Sequence, residues 1–386
     1  MATVFIPKEC ADGEPRVAAT PETVGKLIKA GLQVQVEAGA GAGAFIDDAS
    51  YQKAGAVIAS DAKVAFGQAD VILKVREPMM HPSGSHELDM AKEGSVFASL
   101  LVPQSALDDV KKAQARNIKL FSMNLVPRIS RAQTMDALSS QANIAGYKAV
   151  LLAAVQLPRY FPLLMTAAGT VKPARVVIMG AGVAGLQAIA TARRLGAQVW
   201  ATDVRLAVKE QVESLGAKFI DVPGMEDLED ENGYAKPPTP EFIERQRQIV
   251  GDHIAECDVV ITTALIPGRK APILVPKSLV ERMRPGSCVV DIAAEQGGNC
   301  ECTVAGETTI VNGVSVIGPR NLPGSISVNA SELYSRNIMT FFLSMVKEGE
   351  LSFDFEDEVV AGACVVFDSQ IKHGPTAELL APEGAK

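Results

Sequence analysis

Three glycines in the stretch VVIMGAGVAGLQAIA have the spacing GxGxxG, at Gly180, Gly182 and Gly185. An apolar strand pattern precedes them and a helical pattern follows. In this context the first glycine permits a tight turn, the second lets the backbone approach a pyrophosphate, and the third allows close helix–strand packing. The helix N-terminus then offers N–H groups to phosphate oxygens. The pattern predicts a dinucleotide site, and a glycine turn that serves only packing is the alternative.

An acidic residue, Asp203, ends the next strand pattern in ATDVR. A carboxylate at this position would accept hydrogen bonds from the adenosine ribose hydroxyls and would repel a 2′-phosphate. NAD(H) is therefore favoured over NADP(H). Arg205 weakens this prediction, because a nearby arginine can accommodate a phosphate.

A second group of polar side chains lies in RISRAQTMDALSSQ, residues 128–141. Arg128, Gln133 and Asp136 bring more hydrogen-bonding groups than a plain connector needs. One interpretation is a loop that holds a ligand. The other is a solvated helix start, in which Ser130 or Thr134 caps the helix and Asp136 suits its first turn. The residues alone leave both interpretations open.

Two series of alternating strand and helix patterns must position these groups. The first series includes TVFIPKE, LQVQVEAG, DVILKVREP, GSVFASLLVP and IKLFSMNLVP, and the second begins at ARVVIMGAG and runs through VSVIGP. Such alternation implies mainly parallel sheets flanked by helices. The predicted fold class is α/β, with two doubly wound, Rossmann-like parallel-sheet domains and a cleft between them.

The domain bounds follow from these patterns. We expect a first domain of residues 1–135 and 325–378, because the helical pattern at 328–345 can return to the first series. Residues 136–324 would form the dinucleotide-binding domain, and residues 379–386 a loose tail. Ser105 is predicted to cap the helix of SALDDVKKAQARN. The acidic, proline-rich stretch 223–242 is predicted to be a mobile surface loop.

Composition narrows the function classes. The 386 residues carry a net charge of -8, and they contain no basic run, which argues against a general nucleic-acid binder. Six cysteines and four scattered histidines favour neither a disulfide framework nor a metal site, so no metal is predicted. The N-terminus lacks a signal-peptide pattern, and Arg159 with two prolines interrupts the most apolar stretch. We expect a cytoplasmic protein.

Long motifs, among them RISRAQTMDALSSQANIAGYKAV, MTAAGTVKPARVVIMGAGVAGLQAIATARRLGA, GYAK and TTALIPGRKAP, resemble the NAD(H)-binding component of proton-translocating transhydrogenase. This component is domain I, the alpha or alpha-1 subunit, and the resemblance covers essentially the whole chain. It implies direct hydride transfer between NAD(H) on this chain and NADP(H) on a partner domain. It also implies a homodimer that lies at the cytoplasmic membrane, through membrane-spanning and NADP(H)-binding subunits that translocate protons.

The resemblance implies roles for individual residues. Gln133 would hydrogen-bond the partner's nucleotide, while Arg128 and Asp136 would hold the loop and the nicotinamide carboxamide; these three are the catalytic candidates. A lid containing Gly233 and Tyr234 would close over the nucleotide and exclude water, with a solvated loop tyrosine as the alternative. The other implied cofactor contacts, besides the glycines, Asp203 and Arg205, are Ile129, Ser130, Ser139, Val183, Val204, Ala264 and Leu265.

Two rival functions are weighed against this one. An amino-acid dehydrogenase of the alanine dehydrogenase type is similar in sequence, and Arg16 and Lys74 match its substrate-site arginine and lysine. However, Leu101 stands where that family has its catalytic histidine, and Glu295 stands where it has an aspartate. Without a base, such chemistry should fail. The second rival is a non-catalytic NAD(H)-sensing protein, which would not need the set of Arg128, Gln133 and Asp136.

Overall fold

A computed structural model describes residues 1–223, 239–265 and 270–381. The chain divides into two compact units, Met1–Gln141 with Gly324–Lys386 and Ala142–Pro323. The division falls inside one long helix, whereas the sequence patterns put the domain boundary at residues 135 and 136, next to the start of that helix.

The strands are β1 Thr3–Ile6, β2 Gln33–Glu37, β3 Val57–Ala59, β4 Val71–Leu73, β5 Val96–Ser99, β6 Lys119–Ser122, β7 Leu164–Thr166, β8 Gly169–Val171, β9 Arg175–Met179, β10 Gln198–Thr202, β11 Lys218–Phe219, β12 Val259–Thr262, β13 Cys288–Asp291, β14 Thr308–Val311, β15 Val314–Ile317, β16 Val346–Lys347, β17 Glu350–Leu351, β18 Cys364–Phe367 and β19 Gln370–Ile371. The α-helices are α1 Pro21–Lys29, α2 Asp48–Lys53, α3 Ala62–Gln68, α4 Glu87–Met90, α5 Leu107–Ala115, α6 Ala137–Gln156, α7 Val183–Arg194, α8 Lys209–Ser214, α9 Pro240–Ala255, α10 Lys277–Val280, α11 Ser327–Leu343, α12 Glu358–Ala363 and α13 Gly374–Leu380.

The first unit is built on a sheet with the strand order β19-β18-β6-β5-β4-β1-β2-β3. The pairings from β6 to β3 are parallel, and β18 joins β6 in the antiparallel sense. Strands β4 and β5 are buried along their whole length, as expected when helices cover both faces of a parallel sheet. The strand order reverses between β4 and β1, the place where open α/β sheets usually bind ligands.

The second unit contains a sheet with the order β11-β10-β9-β12-β13-β15-β14. Its described pairings are parallel except for the edge strand β14. Here the strand order reverses between β9 and β12, so the crevice at the carboxyl ends of these two strands is where a ligand is expected. The predicted α/β class, with two mostly parallel sheets, is confirmed.

The structure adds two elements to those predicted. Strands β7 and β8 form a hairpin inside the apolar stretch near residue 165. Helix α9 begins at Pro240, so it overlaps the end of the stretch 223–242 that the sequence predicts to be a loop; residues 224–238 lie outside the described residues. Proline is well tolerated at the first position of a helix, where its missing N–H costs no hydrogen bond.

Two local predictions were wrong. Ser105 does not cap α5, because Pro103–Ser105 forms a short 3-10 turn and Ala106 occupies the cap position. The predicted tail from residue 379 overlaps the end of α13, which continues to Leu380. Within the described residues, no helix is both long enough and apolar enough to cross a membrane.

Candidate functional site

The glycine turn connects β9 to α7 in the second unit. Gly180 has φ +100°, in the left-handed region that favours glycine, and its N–H donates to the carbonyl of Thr202 at 2.8 Å. A Cβ on Gly180 would lie 2.5 Å from the hydroxyl oxygen of Thr263, and a Cβ on Gly185 would lie 1.9 Å from the carbonyl oxygen of Gly180. Backbone conformation and packing therefore require glycine at both positions.

Gly182 is different, because packing does not require it. Its φ is -73°, which any residue adopts, and a Cβ would meet a single atom within 4 Å, Nη2 of Arg205 at 3.9 Å. Gly182 stands at the start of α7, where the first N–H groups of a helix have no partner within the helix and carry a partial positive charge. A missing side chain thus leaves open space beside donors that suit a phosphate.

Asp203 lies directly beside this turn. Its carboxylate is 7% exposed and accepts from the N–H of Ala181 at 2.7 Å. The backbone N–H, Nε and Nη2 of Arg205 also donate to it, at 2.9, 3.0 and 2.9 Å. The carboxylate therefore has the position expected for a ribose ligand, but the guanidinium of Arg205 already covers it.

The loop after β12 forms the other side of the crevice. The N–H of Thr263 donates to the carbonyl of Met179 at 2.9 Å, and its hydroxyl donates to that of Gly180 at 3.1 Å. Ala264 follows, and Leu265 is 42% exposed. The structure thus brings the glycines, Asp203, Arg205 and Ala264 together in one unit, where Val183 and Val204 flank the turn and the acid. Gly233 and Tyr234 lie outside the described residues.

The polar loop belongs to the first unit. Residues Ser130–Met135 form a 3-10 helix that leads into α6, and Ile129 precedes it. Asp136 accepts from the N–H and the hydroxyl of Ser139, at 2.8 and 2.6 Å, so it caps the start of α6. Arg128, Ser130 and Gln133 are exposed. The structure thus joins Asp136 to Ser139, and it supports the helix-cap interpretation for these two residues.

The same loop is fixed to its own unit from two sides. Asn337 of α11 donates to the carbonyl of Thr134 at 2.9 Å, and Arg131 forms an ion pair with Asp357, with one N–O distance of 3.0 Å. Ala132 and Met135 are buried beneath it, at 1% and 8% exposure. The loop is therefore an ordered platform, and the side chain of Gln133 stands on its exposed surface.

A buried ion cluster occupies the switch point of the first unit. Lys74, which follows β4, donates to both carboxylate oxygens of Glu87 at 2.7 Å and lies 3.5 Å from Glu9, which follows β1. Burial, opposed mainly by the positive charge of Lys74, raises the pKa of Glu9 to about 7. Arg16 is held by Glu14 through Nε and Nη2, at 2.7 and 2.6 Å. Both cations are thus neutralised by carboxylates of the chain itself.

The cysteines of NCEC have no chemical role that the structure supports. Burial raises the pKa of the Cys300 thiol to about 12, which keeps it protonated at neutral pH. Among the described residues, no group of three or more potential ligands could hold a metal ion. The residue that sequence analysis missed is the neighbouring Asn299, which is fully buried and bonded to Ala264. A buried Asn after two glycines gives little signal, because its partners are distant in the sequence.

Comparison with known proteins adds to this geometry. The family models described as alanine dehydrogenase/PNT, N-terminal and C-terminal domain, match residues 5–145 and 149–374. The chain is similar to the first of the two polypeptides that form NAD(P) transhydrogenase subunit alpha in Rhodospirillum rubrum, with 48% identity over 374 residues, 96% of this chain and 97% of that protein. It is also similar to the crystal structure of transhydrogenase from Sinorhizobium meliloti, with 46% identity, a TM-score of 0.86, and coverage of 96% of this chain and 99% of that chain. Similarity to alanine dehydrogenase of Bacillus subtilis is lower, at 30% over 355 residues, 90% of this chain and 86% of that protein. The chain belongs to the alanine dehydrogenase/PNT family, among the NAD(P) transhydrogenase alpha subunits.

Proposed function

We propose that this chain binds NAD(H) and presents it for direct hydride transfer to NADP+ on a partner protein of a proton-translocating transhydrogenase. The observation that carries the proposal is the open space at Gly182. Gly180 and Gly185 are explained by conformation and packing, whereas Gly182 is not. A pyrophosphate close to the backbone at the start of α7 explains why a side chain is missing there.

The nucleotide on this chain is proposed to be NAD(H) rather than NADP(H). Asp203 lies at the turn with its carboxylate buried, so a 2′-phosphate would meet a like charge. Arg205 is engaged by that carboxylate, at 2.9 Å, and a phosphate would have to compete for it. In this arrangement the ribose hydroxyls of NAD(H) would take over hydrogen bonds that Arg205 now makes.

The exposed platform at residues 128–136 is proposed to serve the partner's nucleotide. Gln133 is exposed on a loop that is anchored by Asn337 and Asp357, so a hydrogen bond from it would cost little additional ordering. We assign Asp136 and Ser139 to holding the loop, Gln133 to the partner's NADP(H), and Arg128 to the nicotinamide carboxamide. Ile129 and Ser130 would contribute backbone contacts beside them.

The mechanism asks this chain only to bind and orient. NADH, when bound, supplies a hydride from its nicotinamide C4. A hydride transfer needs no general acid or base, so the chain contributes by holding the ring about 3–3.5 Å from its acceptor and by excluding water. The Gly182 turn and Asp203 would fix the adenosine end, and the platform would fix the reactive end.

The amino-acid dehydrogenase alternative is not supported by any specific contact among the described residues. Leu101, at 2% exposure, stands where that family would need its histidine. Arg16 and Lys74 are already bonded to Glu14 and Glu87, so a substrate carboxylate would have to displace buried internal partners. A sensing protein without catalysis would require that Gln133 has no role in turnover, and substitution of Gln133 measures that role.

The assembly is proposed to be a homodimer that docks on membrane-spanning and NADP(H)-binding subunits. An apolar surface in the second unit supports self-association: Val155, Tyr160, Leu163 and Met165 are 88%, 60%, 54% and 81% exposed, around the β7–β8 hairpin. Contiguous exposed apolar surface usually marks an interface. A molar mass equal to that of one chain in light scattering would contradict the homodimer.

Gln133→Asn tests the proposed function. The shorter side chain cannot reach a partner's nucleotide, so we expect hydride transfer, measured by stopped flow in a mixture with an NADP(H)-binding transhydrogenase domain, to slow by at least about tenfold. The NADH dissociation constant should stay within about twofold of the original. The neighbouring Thr134→Ala, also exposed, is the matched control and should change neither quantity. Normal transfer with a large loss of NADH affinity would contradict the role of Gln133.

A further inference from the structure

Asn299 holds both backbone groups of Ala264, the residue that follows Thr263 on the wall of the nucleotide crevice. Its Oδ1 accepts from the N–H of Ala264 at 3.0 Å, and its Nδ2 donates to the carbonyl of Ala264 at 2.9 Å. Nδ2 also donates to the carbonyl of Pro272 at 2.8 Å. The Asn299 side chain is fully buried, and both amide hydrogens are used.

Asn299 is itself fixed by its own backbone. Its N–H donates to Oδ2 of Asp291 at 2.7 Å, and its carbonyl accepts from the N–H groups of Leu274 and Val275 at 2.7 and 3.0 Å. Asp291 is also fully buried and accepts from the hydroxyl of Thr303 at 2.7 Å. A buried, fully satisfied network of this kind rigidifies the groups that it contacts.

The wall that Asn299 holds is in contact with the glycine turn. Thr263 donates to the carbonyls of Met179 and Gly180, and a Cβ on Gly180 would lie 3.5 Å from the backbone nitrogen of Ala264. A shift of Ala264 would therefore change the width of the crevice beside the pyrophosphate-binding backbone.

We propose that Asn299 is a positioning residue of the nucleotide site: it sets the place of Ala264 opposite the glycine turn and so contributes to NADH affinity without contacting the nucleotide. The inference rests on the proposed function, since it assumes that NAD(H) binds in this crevice. A purely structural role would link Asn299 to the stability of the unit and not to affinity.

Asn299→Ser separates the two roles, because the shorter side chain cannot reach Ala264 or Pro272. We expect the NADH dissociation constant to rise by at least about tenfold, equal to about 1.4 kcal/mol. Thr303→Val is the matched control: it removes one donor to the same Asp291 but leaves both bonds to Ala264. It should lower the melting temperature to a similar extent while it changes NADH affinity by less than about twofold.

Three outcomes would overturn the inference. One is an Asn299→Ser protein that binds NADH as the original does. Another is a Thr303→Val protein whose affinity falls in parallel with that of Asn299→Ser, since general loosening would then be the cause. A third is an original chain that does not bind NADH; that result would overturn the proposed function, and the inference with it.

A measurement on the unaltered chain covers the case in which Asn299→Ser does not fold. NADH should slow hydrogen–deuterium exchange in a peptide spanning residues 259–265, because a nucleotide in the crevice would restrain the wall that Asn299 holds. Protection of the glycine turn without protection of residues 259–265 would show that the wall is not part of the site, and the inference would fail.

Discussion

Asp203 and Arg205 form an ion pair at the mouth of the glycine turn, and the pair bears on which nucleotide the chain selects. The carboxylate accepts from three groups of Arg205 as well as from Ala181. Such a carboxylate keeps the guanidinium away from a 2′-phosphate and adds a like charge of its own. Removing the charge while keeping the shape of the side chain should therefore change selectivity more than stability.

Asp203→Asn is expected to weaken NADH binding by about tenfold, since a hydrogen bond to a charged group contributes about 1.5–3 kcal/mol. Affinity for NADPH should fall less or rise, because Arg205 is released. Equilibrium titration with both nucleotides measures the ratio. Asp221→Asn, which removes the partner of Lys209 in the same unit, serves as the control. An unchanged ratio of the two affinities would speak against a selective role for Asp203.

Glu9 gives the first unit a predictable dependence of stability on pH. Its pKa is raised from 4.5 to about 7 by burial, opposed by Lys74. Between these values the unfolded chain loses the proton and the folded chain keeps it. The free energy of unfolding should therefore fall as the pH rises from about 4.5 to 7, by up to about 3 kcal/mol, and this contribution should be constant above pH 7.

Glu9→Gln should remove that part of the pH dependence, because glutamine does not titrate. Urea unfolding at intervals from pH 4.5 to 8 compares the slopes of the two proteins. Glu93→Gln, an exposed position in the same unit, should retain the original slope. If Glu9→Gln and the original chain lose stability equally over this range, the proton is not held by Glu9.

At the scale of elements, the glycine turn was predictable because its signal is local: a strand, three glycines and a helix follow one another in the sequence. The Ser105 cap was wrong for a local reason too, since Pro103 starts a 3-10 turn that moves the start of α5. Asn299 was not predictable, because its meaning depends on Ala264 and Asp291, which come from two other segments. Long-range hydrogen bonds leave no periodic pattern.

The glycines of this turn make a matched pair of substitutions. Gly182→Ala should leave the melting temperature within about 2 °C, since φ -73° suits alanine and its Cβ meets Arg205 only at 3.9 Å. NADH affinity should nevertheless fall by at least about tenfold, because the Cβ enters the space assigned to the pyrophosphate. Affinity is measured by titration and stability by calorimetry.

Gly185→Ala should show the opposite result. Its Cβ would lie 1.9 Å from the carbonyl of Gly180, so the helix or the turn must shift, at a cost of about 3 kcal/mol of unfolding free energy. A Gly182→Ala protein that binds NADH normally would contradict the assignment of the open space to a phosphate.

At the scale of the whole molecule, the class of fold and the presence of two α/β units followed from alternating strand and helix patterns. The contents of the two switch points could not be predicted, because they depend on side chains from separate segments. In the second unit the point between β9 and β12 carries the glycine turn, whereas in the first unit the point between β4 and β1 is filled by Lys74, Glu87 and Glu9. One unit is thus built to take a ligand there and the other is closed by its own charges.

This asymmetry bears on the central claim that the second reactant arrives on another protein. Incubating the chain with an NADP(H)-binding transhydrogenase domain, NADP+ and NADH deuterated at the transferred C4 position tests it directly. We predict NADPH that carries the full deuterium content, since a hydride passing between two nucleotides does not exchange with water. Deuterium lost to solvent, or NADH formed from NAD+ and alanine without any partner protein, would contradict it.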